Sequence, residues 1–466
     1  MNIRLVMAVL AAKFAGFVSR KLGWKGSSLP GVVARKIYKD TLGDLAGQAR
    51  KGVIMVTGTN GKTTTNNMIA NVIQNGGYKV VLNQEGANLI TGVTAAFIKY
   101  ADWLGRVDCD YALLEVDEAS FPKVVKEVKP QIVVVNNFFR DQLDRYGELD
   151  TTVKMVKEAL KSLLDVQLVL NTDDPLVAQM KEATGHNASF FGLAPNQRTG
   201  NGAKQTRESR FCPHCGNELY YLSFQYSQLG SYACAQCGFK REDPEIEASD
   251  VINQGIALQC RIRYPGGETK LAIHTQGFYN LYNALAAFTV GYLVGIDNEQ
   301  ILQGLLKYKP AIGRMETFNY KGKSAILNLV KNPTGYNEGI TTLMSLHGSK
   351  NVFMAVNDND ADGRDISWLW DVDFEHLAQG HQSIETFTCS GLRGEEMALR
   401  LKYAGVPVEK ITVIQEMDAA ILKALEDPGE SIYLFSTYTA LWPAQRILLG
   451  LAEKEELNVK GLSSIS

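Results

Sequence analysis

Seven cysteines among 466 residues are too few to staple a chain of this size, so a disulfide scaffold is excluded. No apolar run is long enough to cross a bilayer. The net charge is only −2, with 48 basic against 50 acidic side chains, so no global basic field points to nucleic acid. No internal repeat is evident. What remains is the composition of an ordinary soluble globular protein, 45% apolar, with room for about two or three domains that each bury a core.

The first 45 residues stand apart as a basic, apolar helical segment. Ile3, Leu5, Val6, Met7, Val9, Leu10, Phe14, Phe17 and Val18 are interrupted by Arg4 and Lys13 and followed by Arg20 and Lys21. A signal peptide places its charges before the apolar stretch and small residues at a cleavage site. Here Lys13 sits inside it, so export is not expected and a reducing, cytoplasmic setting is. Two readings stand: a helix packed on the main domain, and a basic amphipathic helix touching an anionic membrane surface.

Residues 53–65 read Val-Ile-Met-Val-Thr-Gly-Thr-Asn-Gly-Lys-Thr-Thr-Thr, a buried-strand pattern running into a phosphate-binding loop. Gly58 and Gly61 let backbone N–H groups of Gly58, Thr59, Asn60, Gly61, Lys62, Thr63 and Thr64 turn toward phosphate oxygens. Lys62 brings a point charge to the β- and γ-phosphates, and the Thr63 hydroxyl suits Mg²⁺. Where the general motif has its first glycine this chain has Val56, so the match is to the shorter variant Gly-Thr-Asn-Gly-Lys-Thr. The loop predicts a bound nucleoside triphosphate.

From residue 50, short β-branched runs (52–57, 78–82, 110–117, 131–136, 166–171) alternate with helical stretches such as 62–75 and 151–164. That alternation predicts a mainly parallel sheet covered on both faces, with ligands at the carboxyl ends of its strands. Glu115 ends an apolar strand expected beside the loop, where its carboxylate would hold Mg²⁺; Asp117 and Glu118 are near alternatives. Asn136 and Asp141 follow another strand to the same mouth, and Asn83, Glu85, Gly86, Ala87 and Asn88 form a loop that could flank the transferred phosphate. Further on, a helix over 278–294 brings Asn280 and Asn283 to face the site. A domain boundary falls near Gly313-Arg314, where closure could carry the Arg314 guanidinium onto phosphate. Strand patterns at 324–330, 351–357, 410–415 and 431–436 then predict a second α/β domain over 315–466, with Lys331-Asn332-Pro333 at the end of its first strand.

Inside the first domain, taken as 46–314, an insertion of about 205–243 carries Cys212-Pro-His-Cys215 and Cys234-Ala-Gln-Cys237, eighteen residues apart and each followed by glycine. Four thiolates converging from two tight turns are the donor set of tetrahedral Zn²⁺. With no ligand position left open, the metal is expected to be structural, and His214 is not expected to be a ligand. The insertion has little of the basic–aromatic clustering of nucleic-acid-binding ribbons. After the strand at 351–357, Asn357-Asp-Asn-Asp-Ala-Asp-Gly-Arg-Asp365 is dense in carboxylates but fits a calcium loop poorly. Two readings are open for it: an acidic surface loop, or a charge partner for something outside the chain.

Gly58-Thr-Asn-Gly-Lys-Thr63, Glu115, the Asn-Ala-Leu-Ala-Ala helix and Gly313-Arg314 together resemble the Mur ligases, ATP-dependent amide-forming enzymes of peptidoglycan synthesis. Over nearly the whole chain the likeness is to the synthetase subunits of lipid II isoglutaminyl synthases. The four-cysteine insertion, Arg140-Asp-Gln-Leu-Asp-Arg-Tyr-Gly147, Lys331-Asn-Pro-Thr-Gly335 and the 357–365 loop leading into Ser367-Trp368 carry it. The resemblance implies a Mur-ligase-like α/β fold and phosphorylation by ATP of the α-carboxylate of D-glutamate in the lipid II stem. It also implies ammonia supplied by a GatD-like glutamine amidotransferase in a heterodimer. By the same resemblance, one aspartate of the 357–365 loop completes the partner's Cys–His–Asp triad, Asp358 ahead of Asp362 and Asp365.

The sequence also departs from the ordinary Mur pattern. An Asp-His pair is replaced by Asp141-Gln142, and Asp-Tyr-Ala-His-Asn-Pro by Asn328-Leu-Val-Lys-Asn-Pro333, so a second metal contact and the nucleotide contacts of the second domain should differ. The first 40 residues do not resemble a UDP-binding domain, which agrees with a lipid-linked substrate. Two alternatives remain open: a ligase adding an amino acid without a partner, and a nucleotide-dependent zinc-ribbon module that binds nucleic acid.

Overall fold

The computed structural model describes residues 2–21, 28–83, 87–141, 148–195, 208–253, 257–275, 277–310, 313–380 and 383–455. Three helices open the chain, α1 (Ile3–Lys21), α2 (Leu29–Ile37) and α3 (Thr41–Ala46). The first sheet then begins: β1 (Gly52–Thr57), α4 (Lys62–Asn75), β2 (Val80–Leu82), α5 (Ile90–Tyr100), β3 (Tyr111–Glu115), α6 (Phe121–Val128), β4 (Ile132–Val135), a helix Leu149–Lys161, β5 (Gln167–Asn171) and β6 (Ala188–Leu193). The hairpin β7 (Tyr220–Tyr226) and β8 (Leu229–Ala233) carries the cysteine turns, and β9 (Ile246–Asn253), β10 (Leu258–Tyr264) and β11 (Gly267–Ile273) return to the sheet.

Among the described residues the sheet runs β11-β10-β9-β6-β5-β4-β1-β3-β2. β1 to β6 and β9 are parallel, and β10 and β11 are added antiparallel. The antiparallel extension is a feature of the strand pairing that the sequence reading does not contain. Alternation along the strands feeds two cores. Val53 and Met55 of β1 join Leu114, Val133 and Leu168 on one face, under α5, α6 and the first three helices. Ile54 and Val56 join Leu113, Val134 and Val169 on the other, under α4 and the helices Tyr279–Leu293 and Asn298–Leu306. Strands apolar on both faces, such as Ile-Val-Val-Val in β4, belong to parallel sheets buried between helix layers.

A second sheet follows from β12 (Arg314–Tyr320): β13 (Lys323–Leu329), β14 (Lys350–Ala355), β15 (Ile384–Ser390), β16 (Ile411–Val413), β17 (Ser431–Ser436) and β18 (Glu453–Lys454), in the order β16-β15-β14-β17-β13-β12-β18. Its strands β13 to β17 are parallel, and β12 and β18 lie antiparallel at one edge. In the first sheet β1 lies between β3 and β4, so the chain crosses to opposite sides on leaving and re-entering it. That makes the carboxyl end of β1 a topological switch point, where a parallel sheet opens a crevice.

Candidate active site

The loop leaving β1 fills that crevice. Gly58 (φ 116°) and Gly61 (φ 82°) occupy the left-handed region that a side chain resists. A Cβ on Gly58 would stand 2.8 Å from the Asn137 carbonyl oxygen, and one on Gly61 would stand 2.2 Å from Asn283 Oδ1. Asn137 holds the turn from below: its carbonyl accepts the Thr59 N–H (2.9 Å) and its Oδ1 accepts the Asn60 N–H (2.8 Å). The Thr59 hydroxyl is likewise turned inward, against the Phe139 backbone. These bonds tie up the Thr59 and Asn60 amides, which narrows the expected cradle. The donors aimed at the crevice are the first-turn amides of α4, a fourteen-residue helix that begins at Lys62.

Lys62 is buried, at 7% exposure, and its Nζ donates to the Gly58 carbonyl (2.7 Å) and to Glu118 Oε2 (3.0 Å). Burial alone would lower its pKa, but Glu118, Asp117 and Glu115 outweigh burial and hold it above the usual lysine value. The side chain is therefore a fixed cation. Beside it the Thr63 hydroxyl donates to Glu115 Oε2 at 2.7 Å, and both groups are buried. A hydroxyl and a carboxylate at this spacing are hard oxygen donors that suit Mg²⁺. The Asn83 side chain fixes the end of β3 by donating to the Glu115 carbonyl and accepting the Glu115 N–H.

A chain of amides ties the loop to its surroundings. Asn136 Nδ2 donates to Thr65 Oγ1, the Thr65 hydroxyl donates to Asn283 Oδ1 (3.0 Å), and Asn283 Nδ2 donates to Asn280 Oδ1 (2.9 Å). Asn136 Oδ1 is buried without a partner, a donor-seeking atom at the mouth. The second domain reaches the same place. Lys331 Nζ donates to Asp141 Oδ2 (2.9 Å) and to the Thr59 carbonyl (3.3 Å), and Asn332 Nδ2 donates to Asn60 Oδ1 (2.9 Å). Arg314 opens β12 half-buried, its Nε without a hydrogen-bond partner. Thr64 is buried in the first turn of α4. Of the residues expected from sequence, Glu85, Gly86 and 142–147 lie outside the described ones. Thr65, which links Asn136 to Asn283, has no sequence signal beyond its place in the threonine run.

The four cysteines meet. Their Sγ atoms all lie within 4.8 Å of one another, with Cys212–Cys237 and Cys215–Cys234 each at 3.5 Å. Four ligands about 2.3 Å from a central Zn²⁺ would be separated by distances of this order, so the set fits the metal. His214 stays outside the cluster, its ring 4.5 Å from Phe239. The ribbon also supports the loop: Gln228 Nε2 donates to the Phe138 carbonyl (2.6 Å), Arg241 Nε pairs with buried Asp173 (2.6 Å) and the Tyr232 hydroxyl donates to the Thr172 carbonyl. Phe138 N–H in turn donates to Asp174 Oδ2, one residue before the backbone that clasps Thr59.

After β14 the three candidate aspartates separate by environment. Asp362 is buried, its carboxylate bound by the amide and hydroxyl of Thr439, and burial raises its pKa. Asp365 accepts the Ser367 amide. Asp358 accepts from Arg393 Nη2 at 2.6 Å, which holds its carboxyl below the usual range, and 13% of its side chain remains exposed. Arg393, the partner of Asp358, has no signal in the sequence beyond its place just after β15.

Two family models match the chain: the Mur ligase middle domain over residues 56–232 and the MurT ligase C-terminal domain over 329–441. The lipid II isoglutaminyl synthase (glutamine-hydrolyzing) subunit MurT of Staphylococcus aureus strain N315 is 39% identical over 436 residues, 94% of this chain and 96% of that protein. Its namesake from Streptococcus pneumoniae strain R6 is 34% identical, covering 96% and 98%. Among solved structures, the fold matches a pseudomurein peptide ligase type C from Methanothermus fervidus (TM-score 0.67, 24% identity, 86% of this chain and 79% of that one). It also matches MurF ligase from Thermotoga maritima in complex with ADP (TM-score 0.62, 16% identity, 89% and 83%). With near full-length identity on this scale, and this phosphate-loop domain joined to this second sheet, the chain belongs to the MurT family of Mur-ligase-like synthetase subunits.

Proposed function

We propose that this chain is the ATP-dependent synthetase subunit that amidates the α-carboxylate of D-glutamate in the lipid II stem, giving D-isoglutamine during cell-wall synthesis. The observation that carries it is the meeting of Lys62, Thr63 and Glu115 at the switch point, under Lys331 and Asn332 of the second domain. The identity to relatives named for this reaction supports the substrate class. A carboxylate is a poor electrophile until one of its oxygens becomes a leaving group. A stem carboxylate oxygen attacks the γ-phosphorus of ATP, ADP departs, and an acyl phosphate forms. Ammonia then adds at the carbonyl carbon, phosphate departs with the former carboxylate oxygen, and the nitrogen loses a proton.

The residues divide this work. The first-turn amides of α4, from Lys62 to Thr64, take the phosphate oxygens, with Gly58 and Gly61 keeping the approach clear and Thr59 and Asn60 shaping the turn. Lys62 moves from Glu118 to the transferred phosphoryl group, and Asn283 and Arg314 complete the nucleotide's surroundings. Thr63 and Glu115 would hold Mg²⁺, which supplies neutralisation of the phosphate charge. Cys212, Cys215, Cys234 and Cys237 would hold a structural Zn²⁺. We assign residues 1–45 to the helical segment, 46–314 to the ATP-binding domain with its ribbon, and 315–466 to the second α/β domain.

The ammonia comes from a GatD-like glutamine amidotransferase, and Asp358 is the residue that completes that subunit's triad. Its exposure and its ionised state beside Arg393 support it over Asp362, whose carboxylate is consumed by Thr439. The reaction belongs to the cytoplasmic side, where ATP is. Lipid II with ATP, Mg²⁺ and ammonium should give ADP and the mass shift of acid-to-amide conversion. Product formed only with an amino acid would replace this reading by a partner-free ligase. No ADP with any muropeptide, together with salt-sensitive RNA or DNA binding, would replace it by a nucleic-acid module.

A further inference from the structure

Helix α1 has two apolar faces, and the described residues cover only one of them. Leu5, Ala8, Val9, Ala12, Gly16 and Ser19 are buried against the neighbouring helices. On the opposite side Ile3 (70% exposed), Met7, Leu10, Phe14 (69%), Phe17 and Val18 point outward. Their spacing of four, three, four, three and one places them on a single stripe along a helix about 28 Å long. A helix apolar all round is normally buried all round, so the outer stripe calls for a cover. Trp103 (67% exposed) and Leu104 lie beside it on the loop after α5, with Lys13 Nζ over the Trp103 ring at 5.6 Å. Arg4 and Lys13 flank the stripe and Arg20 and Lys21 end it. No acidic residue occurs before Asp40, against eight basic ones.

We propose that this stripe is a docking surface for an anionic phospholipid bilayer, on which the chain lies without spanning it. Apolar side chains bordered by cations, with an aromatic ring at their edge, match the acyl, headgroup and interfacial layers of such a surface. No helix among the described residues is long and apolar enough to cross a membrane. A second copy of the chain is a poor cover, because pairing two such stripes brings Arg4, Lys13, Arg20 and Lys21 against the same cations, and the carboxylate at the stripe's edge, Asp102, already faces Lys13 of its own chain. The placement also serves the site. α1 packs on α2, and α2 presses on the first turn of α5: a Cβ on Gly31 would stand 1.8 Å from the Thr91 carbonyl oxygen. The segment just before α5 holds Ala87, which accepts from Asn83 beside Glu115. This inference rests on the lipid-linked substrate proposed above: a headgroup held at a bilayer reaches the crevice only if the enzyme lies at that bilayer.

The test is flotation of the full chain with vesicles free of lipid II, made of phosphatidylglycerol and phosphatidylcholine or of phosphatidylcholine alone. Binding is expected to the mixed vesicles, weaker to the neutral ones and weaker in high salt. Phe14→Ser combined with Phe17→Ser should reduce it about tenfold or more. Arg20→Glu with Lys21→Glu should reduce it while leaving the melting temperature unchanged. Both phenylalanines are exposed, so the double variant keeps its core. No flotation by the wild type, or flotation indifferent to the phenylalanines, overturns the proposal. So does self-association abolished by the same double variant, which would make the cover a second copy. Loss of glutamine-driven but not ammonia-driven amidation in that variant, with vesicle binding intact, would make it the partner subunit. ADP formation on detergent-dispersed lipid II is read separately. Its absence in the wild type sinks the functional reading and leaves the flotation result to decide the docking surface.

Discussion

The two sheets of this chain share a plan and differ in what their strand ends hold. Each is parallel at its centre, each buries apolar side chains on both faces, and each carries a loop of candidate site residues at its carboxyl edge. At the end of β1 the charges are closed in: Lys62, Glu115 and Glu118 are all buried, Lys62 paired with Glu118 and Glu115 held by the Thr63 hydroxyl. At the end of β14 Asp358 is partly exposed, ionised by a surface arginine. A buried charge cluster can stabilise a transferred phosphoryl group because water does not compete there. An accessible carboxylate can serve a group that arrives from outside. One architecture thus supports an internal and an external role, and burial separates them.

The comparison is broken most severely at Lys62. Lys62→Ala should lower lipid II-dependent ADP formation by about 10²- to 10³-fold or more. It should also destabilise the fold by about 3–5 kcal/mol, because Glu118 is left as an unpaired buried charge. Lys62→Met with Glu118→Gln should recover the stability in a denaturant melt but not the activity. Recovery of both would show that the lysine serves only the fold.

Asp358→Ala should cut glutamine-driven amidation with the partner by about 10³- to 10⁴-fold and leave ammonium-driven amidation intact. Equal loss of both would move the residue into the synthetase reaction and erase the contrast between the sheets. Cys212→Ser with Cys234→Ser should abolish zinc binding by metal analysis and lower the melting temperature by several degrees. It should also raise the KM for ATP, because the ribbon's Gln228 braces the Phe138 backbone beside the loop. Asn283→Ala should raise the KM for ATP about tenfold, as expected for one or two lost hydrogen bonds of about 1 kcal/mol each.

The smallest effect is in pH dependence. Burial pushes the Asp174 carboxyl up to about 7, above its unfolded value near 3.8. The native state therefore binds the extra proton, and this group's contribution is largest at acid pH and declines as pH rises through about 4 to 7. The Phe138 and Leu176 amides bind separate oxygens of Asp174, Oδ2 and Oδ1, so Asp174→Asn keeps an acceptor for one of them and removes the titrating group. It should flatten that decline in melting temperatures measured across the range. An unchanged slope would place the pH dependence elsewhere.

The phosphate loop, Glu115 and the four cysteines were legible because each has local chemistry: glycine where φ is positive, a lysine at a helix start, thiols on tight turns. Strand positions were legible from β-branched runs, though β2 shrank to Val80–Leu82 and the helix expected at 151–164 runs Leu149–Lys161. The antiparallel placing of β10 and β11 was not: β10 alternates buried Leu258, Cys260 and Ile262 with exposed Arg261 and Arg263, but its direction depends on pairing with β9, and that of β11 on pairing with β10. Nor were Arg393 beside Asp358, Asn137 under the loop, or Thr65 between Asn136 and Asn283. Those roles depend on residues 35 to 218 positions away.

The sequence by itself determined that this chain binds a nucleoside triphosphate, gathers four thiols and alternates strand with helix, because such features are written in short runs whose chemistry is local. Only the tertiary structure decided that Lys62 rests on Glu118, that Asp362 is spent on Thr439 while Asp358 stays partly exposed, and that the described residues leave one face of α1 uncovered. Burial and partnership belong to the packed fold, where distant segments compete for the same hydrogen bonds and the same cover.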